Sequence, residues 1–229
     1  MKKTAIVAKK GISVEDIKPL LKKEGFVISK NPEFVICVGG DGTFLIAERK
    51  FPGMPKAIVR ESKICKKSHN LPLETILSLI KSGNYSVENN IKLEVEVNGN
   101  KLVGTNEIIL RNKSQITALR FSVLINDKII VSEIIGDGIV VATPFGSTGY
   151  FSSITRKSFE KGIGLCFNNS TAHLEPIILD DNSVVQIKIM RMDGLVSADN
   201  NPNMIKVKEG DLITIKKSKD VARLFDFKV

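Results

Sequence analysis

Phe34-Val35-Ile36-Cys37-Val38-Gly39-Gly40-Asp41-Gly42-Thr43 decides the fold. Phe34 to Val38 is short, β-branched and free of charge, which suits a strand buried on both faces of a parallel sheet. Gly39, Gly40 and Gly42 then remove the Cβ atoms, so the backbone can take positive φ and bring its N–H groups close to a bulky anion such as a phosphate chain. Asp41 supplies the only charge in the stretch. Like charges repel, so an aspartate is a poor phosphate ligand, and its place here points to a proton or a hydroxyl. Gly-Gly-Asp-Gly also makes an ordinary tight turn after a strand, so the rest of the chain has to decide.

Outward from this stretch the first third alternates strand and helix. Thr4 to Ala8 reads as a strand, and Ser13 with Asp16 reads as a helix start leading into Ile17, Leu20 and Leu21. Pro19 should limit or kink that helix, and Gly25 should stop it. Phe26 to Ser29 is a second strand, and Phe44 to Lys50 is a short helix whose N-terminus points at whatever the glycines cradle. Pro52-Gly53-Met54-Pro55 ends it, Lys56 to Arg60 offers a strand, and Pro72 opens a helix over Leu73 to Ser82 that Gly83 closes.

From Tyr85 the period changes. Leu93, Val95 and Val97 alternate with Lys92, Glu94 and Glu96, and Asn98-Gly99 is a strong two-residue hairpin signal. Leu119 to Ile125, a turn at Asn126-Asp127, Lys128 to Glu133, Ile139 to Ala142, Gly164 to Phe167, Val184 to Ile189, Leu195 to Ala198 and Leu212 to Lys216 follow as short strands. One helix is expected around Tyr150 to Lys161, and the apolar Val221 to Phe227 is expected to return to the first domain. The expected architecture is an α/β, Rossmann-like N-terminal domain over residues 1–88, rejoined by a tail over 219–229, and an all-β, sandwich-like C-terminal domain over 89–218.

Composition narrows the function. With 229 residues, 42% hydrophobic and 26% charged, the chain can bury a proper core and has the profile of a soluble globular protein. The apolar run after Met1-Lys2-Lys3 is too short for a signal segment and nothing spans a membrane, so a cytoplasmic location is expected. Cys37, Cys65 and Cys166 are scattered and only His69 and His173 accompany them, which argues against a structural zinc site; Cys37 reads as a small core residue. The net charge of +9 favours anionic partners. Dispersed lysine pairs and only 6% aromatics, with no tryptophan, argue against nucleic acid, whereas a phosphorylated small molecule fits.

Two further stretches are polar without a structural reason in the strand pattern. Thr105-Asn106-Glu107 precedes Ile108-Ile109-Leu110: an amide that donates and accepts, beside a carboxylate that accepts from hydroxyls, suits a ribose and a carboxamide, although such a pair also makes a solvated strand edge. Gly136-Asp137-Gly138 leads through Ile139 to Ala142 into Thr143-Pro144-Phe145-Gly146-Ser147-Thr148-Gly149-Tyr150. Its hydroxyls bind, its glycines permit close approach, and Tyr150 can stack on a base or cap a pocket. A helix starting near Ser147 would add free N–H groups for an anion.

In this order, Gly39-Gly40-Asp41-Gly42-Thr43, Asn106-Glu107 and Asp137 to Tyr150 resemble the three hallmark segments of the NAD kinase family. The first is shared with diacylglycerol kinases, sphingosine kinases and phosphofructokinases; the third is far more specific. The resemblance implies transfer of a terminal phosphoryl group from ATP, another nucleoside triphosphate or polyphosphate to the 2′-hydroxyl of the adenosine ribose of NAD, with Mg²⁺ or another divalent cation on the donor. It implies Asp41 as the base, Gly39, Gly40, Gly42 and Thr43 as the donor phosphate loop, and Asp41, Gly42, Asn106, Glu107, Asp137, Thr148, Gly149, Tyr150 and Ser153 as NAD contacts, with Asp199 of lower weight. A homodimer or homotetramer is implied as well. The chain departs from the family pattern over Ile58 to Ser68, at Phe145 and Gly149, at Ser152-Ser153 and at Asn200. The rival readings are a lipid kinase related to the diacylglycerol kinases, although no amphipathic anchor is evident, and a nucleotide-binding regulatory protein without catalysis.

Overall fold

A computed structural model describes residues 2–60 and 71–227. The chain divides into two compact units, residues 1–90 with 220–229 and residues 91–219. Cys65, His69 and most of the Ile58 to Ser68 segment lie outside the described residues.

Unit 1 is α/β. Strands β1 (Lys2–Ala8), β2 (Phe26–Ile28), β3 (Phe34–Gly39) and β4 (Lys56–Arg60) form a parallel sheet in the order β2-β1-β3-β4. All six residues of β3 are buried, as its unbroken apolar run requires. Helices α1 (Lys18–Lys23) and α3 (Leu73–Ser82) send Leu21, Ile76, Leu77 and Ile80 into one core with Ile36, Val38, Ala57 and Val59. Gly83, at φ 79°, closes α3 in the left-handed conformation that suits glycine. Helix α2 (Asp41–Lys50) leaves the end of β3. The chain's last strand also contributes here: Phe34 packs edge-on against Phe26 and Phe225, each at 5.8 Å.

Two expectations for this unit change. Helix α1 begins at Lys18 rather than near Ser13, so Pro19 lies in its first turn, where a missing N–H costs nothing, and it introduces no kink. Helix α2 begins at Asp41, three residues before Phe44, because Gly40 caps it in extended conformation. Asp41 is therefore the first helical residue, where the helix dipole favours a negative charge.

The β-rich part starts with β5 (Tyr85–Val97) and β6 (Asn100–Gly104), joined at Asn98 and Gly99 with φ of 49° and 78°, the primed turn that this pair favours. It continues through β7 (Glu107–Asn112), β8 (Leu119–Ile125), β9 (Lys128–Gly136), β10 (Gly138–Ala142), β11 (Ile163–Asn168), β12 (Ile177–Leu179), β13 (Val185–Arg191), β14 (Gly194–Ala198), β15 (Ile205–Val207) and β16 (Leu212–Phe227). One unit 2 sheet runs β16-β13-β8-β9, and the other runs β12-β11-β10-β7-β14-β15. Their buried faces share one core: Phe121, Val123 and Ile187 come from the first sheet, Ile108, Val141 and Leu165 from the second. Strand β16 pairs with β13 through Leu212 to Ile215, and further along Leu224 pairs in parallel with Lys56 of β4.

The helix expected over Tyr150 to Lys161 does not form at that length. A π-type turn over Ser147–Phe151, non-helical at Gly149, passes into the four-residue α4 (Ser152–Thr155), which Arg156 ends at φ 59°. So short a piece offers no helix terminus for an anion, and two of its hydroxyls bond within the chain. Ser147 Oγ donates to the Phe159 carbonyl at 2.9 Å, and Thr155 Oγ1 donates to the Phe151 carbonyl at 2.9 Å.

Candidate active site

In unit 1 the parallel strands change winding direction between β1 and β3, since β1 leads through α1 to β2 on one side and β3 leads through α2 to β4 on the other. Ligands of open α/β sheets bind outside the strand ends at such a point. The Gly-Gly-Asp-Gly loop sits there. Gly39 has φ 157°, and a Cβ placed on it would lie 2.2 Å from Thr43 Oγ1 and 3.1 Å from Lys9 Cβ, so only glycine lets the strand run into the helix this closely. The amides of Thr43 and Phe44 donate to the Gly40 carbonyl at 2.9 and 3.1 Å, which fixes the turn. Asp41 is half-buried, Gly42 exposed and Thr43 buried. At the same strand ends, a cavity of about 620 Å³ is lined by Gly11, Ser13, Asp16, Val38, Arg60 and Glu74 among others.

Towards the far end of α2 from the loop, Lys56 and Glu48 form a fully buried ion pair. Lys56 Nζ also donates to the carbonyls of Phe51 and Met54 at 2.8 and 2.7 Å, and Glu48 Oε1 accepts the Gly53 amide at 3.0 Å. The pair thus holds the turn that returns the chain from α2 to β4. Cys37 beside it is fully buried, and burial pushes its thiol up to about 12, so it is an inert core residue.

In unit 2 the second and third motifs meet through the pairing of β10 with β7, which sets Ala142 opposite Glu107. Thr143 N donates to the Asn106 carbonyl at 2.8 Å, and Thr143 Oγ1 donates to the Thr105 carbonyl at 2.6 Å while accepting the Gly146 amide at 3.1 Å. Gly146 presses on the backbone: a Cβ there would come within 2.1 Å of the Asn106 oxygen. Asp199, at φ 49°, closes the arrangement. Its Oδ2 accepts the Thr105 amide at 2.8 Å, its Oδ1 accepts those of Asn106 and Glu107 at 2.7 and 3.2 Å, and its own amide donates to the Glu107 carbonyl at 3.1 Å.

Three consecutive residues on this turn, Thr105, Asn106 and Glu107, each bury a side-chain oxygen without a hydrogen-bond partner: Oγ1, Oδ1 and Oε2. Native proteins rarely leave such atoms unpaired, and a cluster of them marks a place for a bound group. Burial, together with the charge of Asp199, pushes the Glu107 carboxyl up to about 8. Burial also raises Asp199, against the lowering pull of the three amides and of Lys92. Lys92 had no role in the sequence reading, where it alternates with the core residues alongside Glu94 and Glu96, yet it is buried.

Thr148, Gly149 and Tyr150 share the π-type turn after Thr143, and a Cβ on Gly149 would face Glu107 Oε2 at 3.9 Å. Tyr150 lies half-buried against the Val140, Ala142, Phe151 and Cys166 cluster. The Ser153 hydroxyl donates to the Tyr150 carbonyl at 2.7 Å. Asp137 stands apart within one copy of the chain. Gly138 next to it pairs with Arg111, at the opposite end of β10 from Ala142, about 13 Å away at the usual strand rise. Its carboxylate accepts from Asn112 Nδ2 at 3.2 Å and Asn169 Nδ2 at 3.0 Å.

The fold is shared with solved structures of two dinucleotide kinases. Over 99% of its length the chain superimposes on the crystal structure of an NAD kinase from Archaeoglobus fulgidus in complex with ATP, with TM-score 0.82, 21% identity and 94% of that chain covered. Yeast NADH kinase complexed with NADH matches over all of this chain and 84% of its own, with TM-score 0.85 and 15% identity. The chain belongs to the NAD kinase family: the family model for the ATP-NAD kinase C-terminal domain matches residues 105–227. The NAD kinase of Shewanella piezotolerans is 30% identical over 213 residues, 86% of this chain and 68% of that protein. That of Thermoplasma acidophilum is 29% identical over 217 residues, 91% of this chain and 79% of that protein.

Proposed function

We propose that the chain is an NAD kinase, an enzyme that phosphorylates the 2′-hydroxyl of the adenosine ribose of NAD to give NADP, with ATP, another nucleoside triphosphate or polyphosphate as donor. The observation that carries the site assignment is the run of three buried, unpartnered oxygens on Thr105, Asn106 and Glu107, inside the segment that the family model matches. In unit 2, Asn106, Glu107, Thr148, Gly149, Tyr150 and Ser153 would hold NAD through its riboses, amide and base, and Asp199 would support them through the Thr105 to Glu107 backbone. In unit 1, Gly39, Gly40, Gly42 and Thr43 would hold the donor phosphates.

Asp41 would orient the hydroxyl and accept its proton. A carboxylate is a weak base, but phosphoryl transfer passes through a loose transition state in which proton transfer is late, so positioning and charge neutralisation carry most of the rate. The donor would bring Mg²⁺ on its own phosphates. Among the described residues no group of three or more His, Cys, Asp or Glu side chains could hold a metal ion, so no protein ligand is assigned to it. Asp137, held at the far end of β10, would reach a nucleotide only when a neighbouring copy presents it, which fits a homodimer or homotetramer.

Product identification tests the reaction. NAD incubated with ATP should yield a dinucleotide whose new phosphate is on the 2′-oxygen, seen by phosphorus NMR, and the 2′-deoxyadenosine analogue of NAD should give no product. Phosphorylation of that analogue would remove the assignment.

A further inference from the structure

Two carboxyl groups share the unit 2 turn, and their surroundings differ. Asp199 accepts three backbone amides, at 2.8, 2.7 and 3.2 Å, from Thr105, Asn106 and Glu107. Fixed N–H donors of this kind stabilise the ionised form, and buried Lys92 acts on Asp199 in the same direction. Glu107 is only 7% exposed, and its Oε2 is fully buried without a hydrogen bond from the protein. Two ionised carboxylates do not share a buried site without a large repulsion, so a single negative charge settles on the group that has the donors.

We propose that Glu107 binds the nucleotide as a neutral carboxylic acid, donating from its buried oxygen to an acceptor of the ligand such as a base nitrogen or the carboxamide oxygen, and that Asp199 is the positioning residue that keeps it protonated. This rests on the reading of the turn as the NAD site. It reverses the simpler picture of Glu107 as an acceptor for ribose hydroxyls. Among the described residues, the charged groups around Glu107 are Asp199, on the turn after β14, and Lys92 on β5, which acts through Asp199; Gly149, facing Oε2 from the π-type turn, brings no charge. The upward displacement of the Glu107 carboxyl to about 8, caused first by burial and then by Asp199, agrees with this distribution.

Two measurements test it together. The side-chain carboxyl of Glu107, followed by carbon NMR in the ligand-free protein, should titrate near 8 and move down in Asp199→Asn. NAD affinity, measured by calorimetry without donor, should weaken about tenfold between pH 7 and pH 9, one decade per pH unit above the titration point. Glu107→Gln, which cannot titrate, should show a flat profile over the same range. Ionisation of Glu107 near 4, a NAD affinity that strengthens with pH, or a decline that persists in Glu107→Gln overturns the proposal. Titration near 8 with no NAD binding at any pH supports the charge assignment, overturns the donation to NAD and takes the reading of the site with it.

Discussion

At the scale of single residues, Gly39 and Glu107 carry the two halves of the account. Gly39→Ala places a methyl group 2.2 Å from Thr43 Oγ1 at a φ of 157°. It is expected to cost about 1–3 kcal/mol of stability, read from denaturant unfolding, and to weaken donor binding. Adding Thr43→Ala should recover part of the stability, because the clash is with that hydroxyl. For Glu107 the sign follows from the proton count. The folded chain keeps the proton up to about 8, whereas an unperturbed carboxyl releases it at 4.5, so between those values the native state binds more protons than the unfolded one. Stability should therefore fall as pH rises through that window and then level, a slope that unfolding at a series of pH values will show and Glu107→Gln will reduce. The polar pair Asn106-Glu107 was legible as residue types at a strand start. That Asp199 organises them was not, because its three bonds join positions more than ninety residues apart. Lys92 was missed for a related reason: strict alternation grouped it with Glu94 and Glu96, yet it is buried near the charge of Asp199.

At the scale of elements, the start of α2 and the turn after it belong together. The sequence suggests a helix from Phe44 because glycine is a poor helix former, but Gly40 supplies the cap and the helix takes in Asp41, Gly42 and Thr43. Residues 51–55 then return to β4 over the buried Lys56 and Glu48 pair. Glu48→Leu leaves a buried lysine charge uncompensated and should cost about 3–5 kcal/mol in unfolding experiments. Replacing Lys56 with Met as well should recover only part of that, since the Phe51 and Met54 carbonyls and the Gly53 amide lose their partners. Strand β3, helix α3 and both two-residue hairpins were legible because their signals are local: a buried apolar run, a closing glycine, and the Asn-Gly and Asn-Asp turns. The helix expected from Tyr150 to Lys161 was not, since Gly149 breaks the first turn and Arg156 stops the chain in a left-handed conformation.

At the scale of the whole molecule, residues far apart in sequence converge within each unit. Residues 105–107, 143–149 and 199 converge in unit 2, while Lys9, the β3 end and α2 converge in unit 1. If neighbouring copies present Asp137, mixing inactive Asp41→Asn subunits with inactive Asp137→Ala subunits should restore activity, because one class of mixed site then keeps both aspartates. Failure of a stable mixed oligomer to show any activity would show that Asp137 is not supplied by a neighbouring copy. The measurement that bears most directly on the account is NADP formation, followed with an NADP-specific dehydrogenase across ATP, other nucleoside triphosphates and polyphosphate, each with Mg²⁺. NADP is expected from at least one donor, with a rate lower by about 10²–10⁴-fold in Asp41→Asn. Tight binding of NAD or NADP with no turnover from any donor would contradict it.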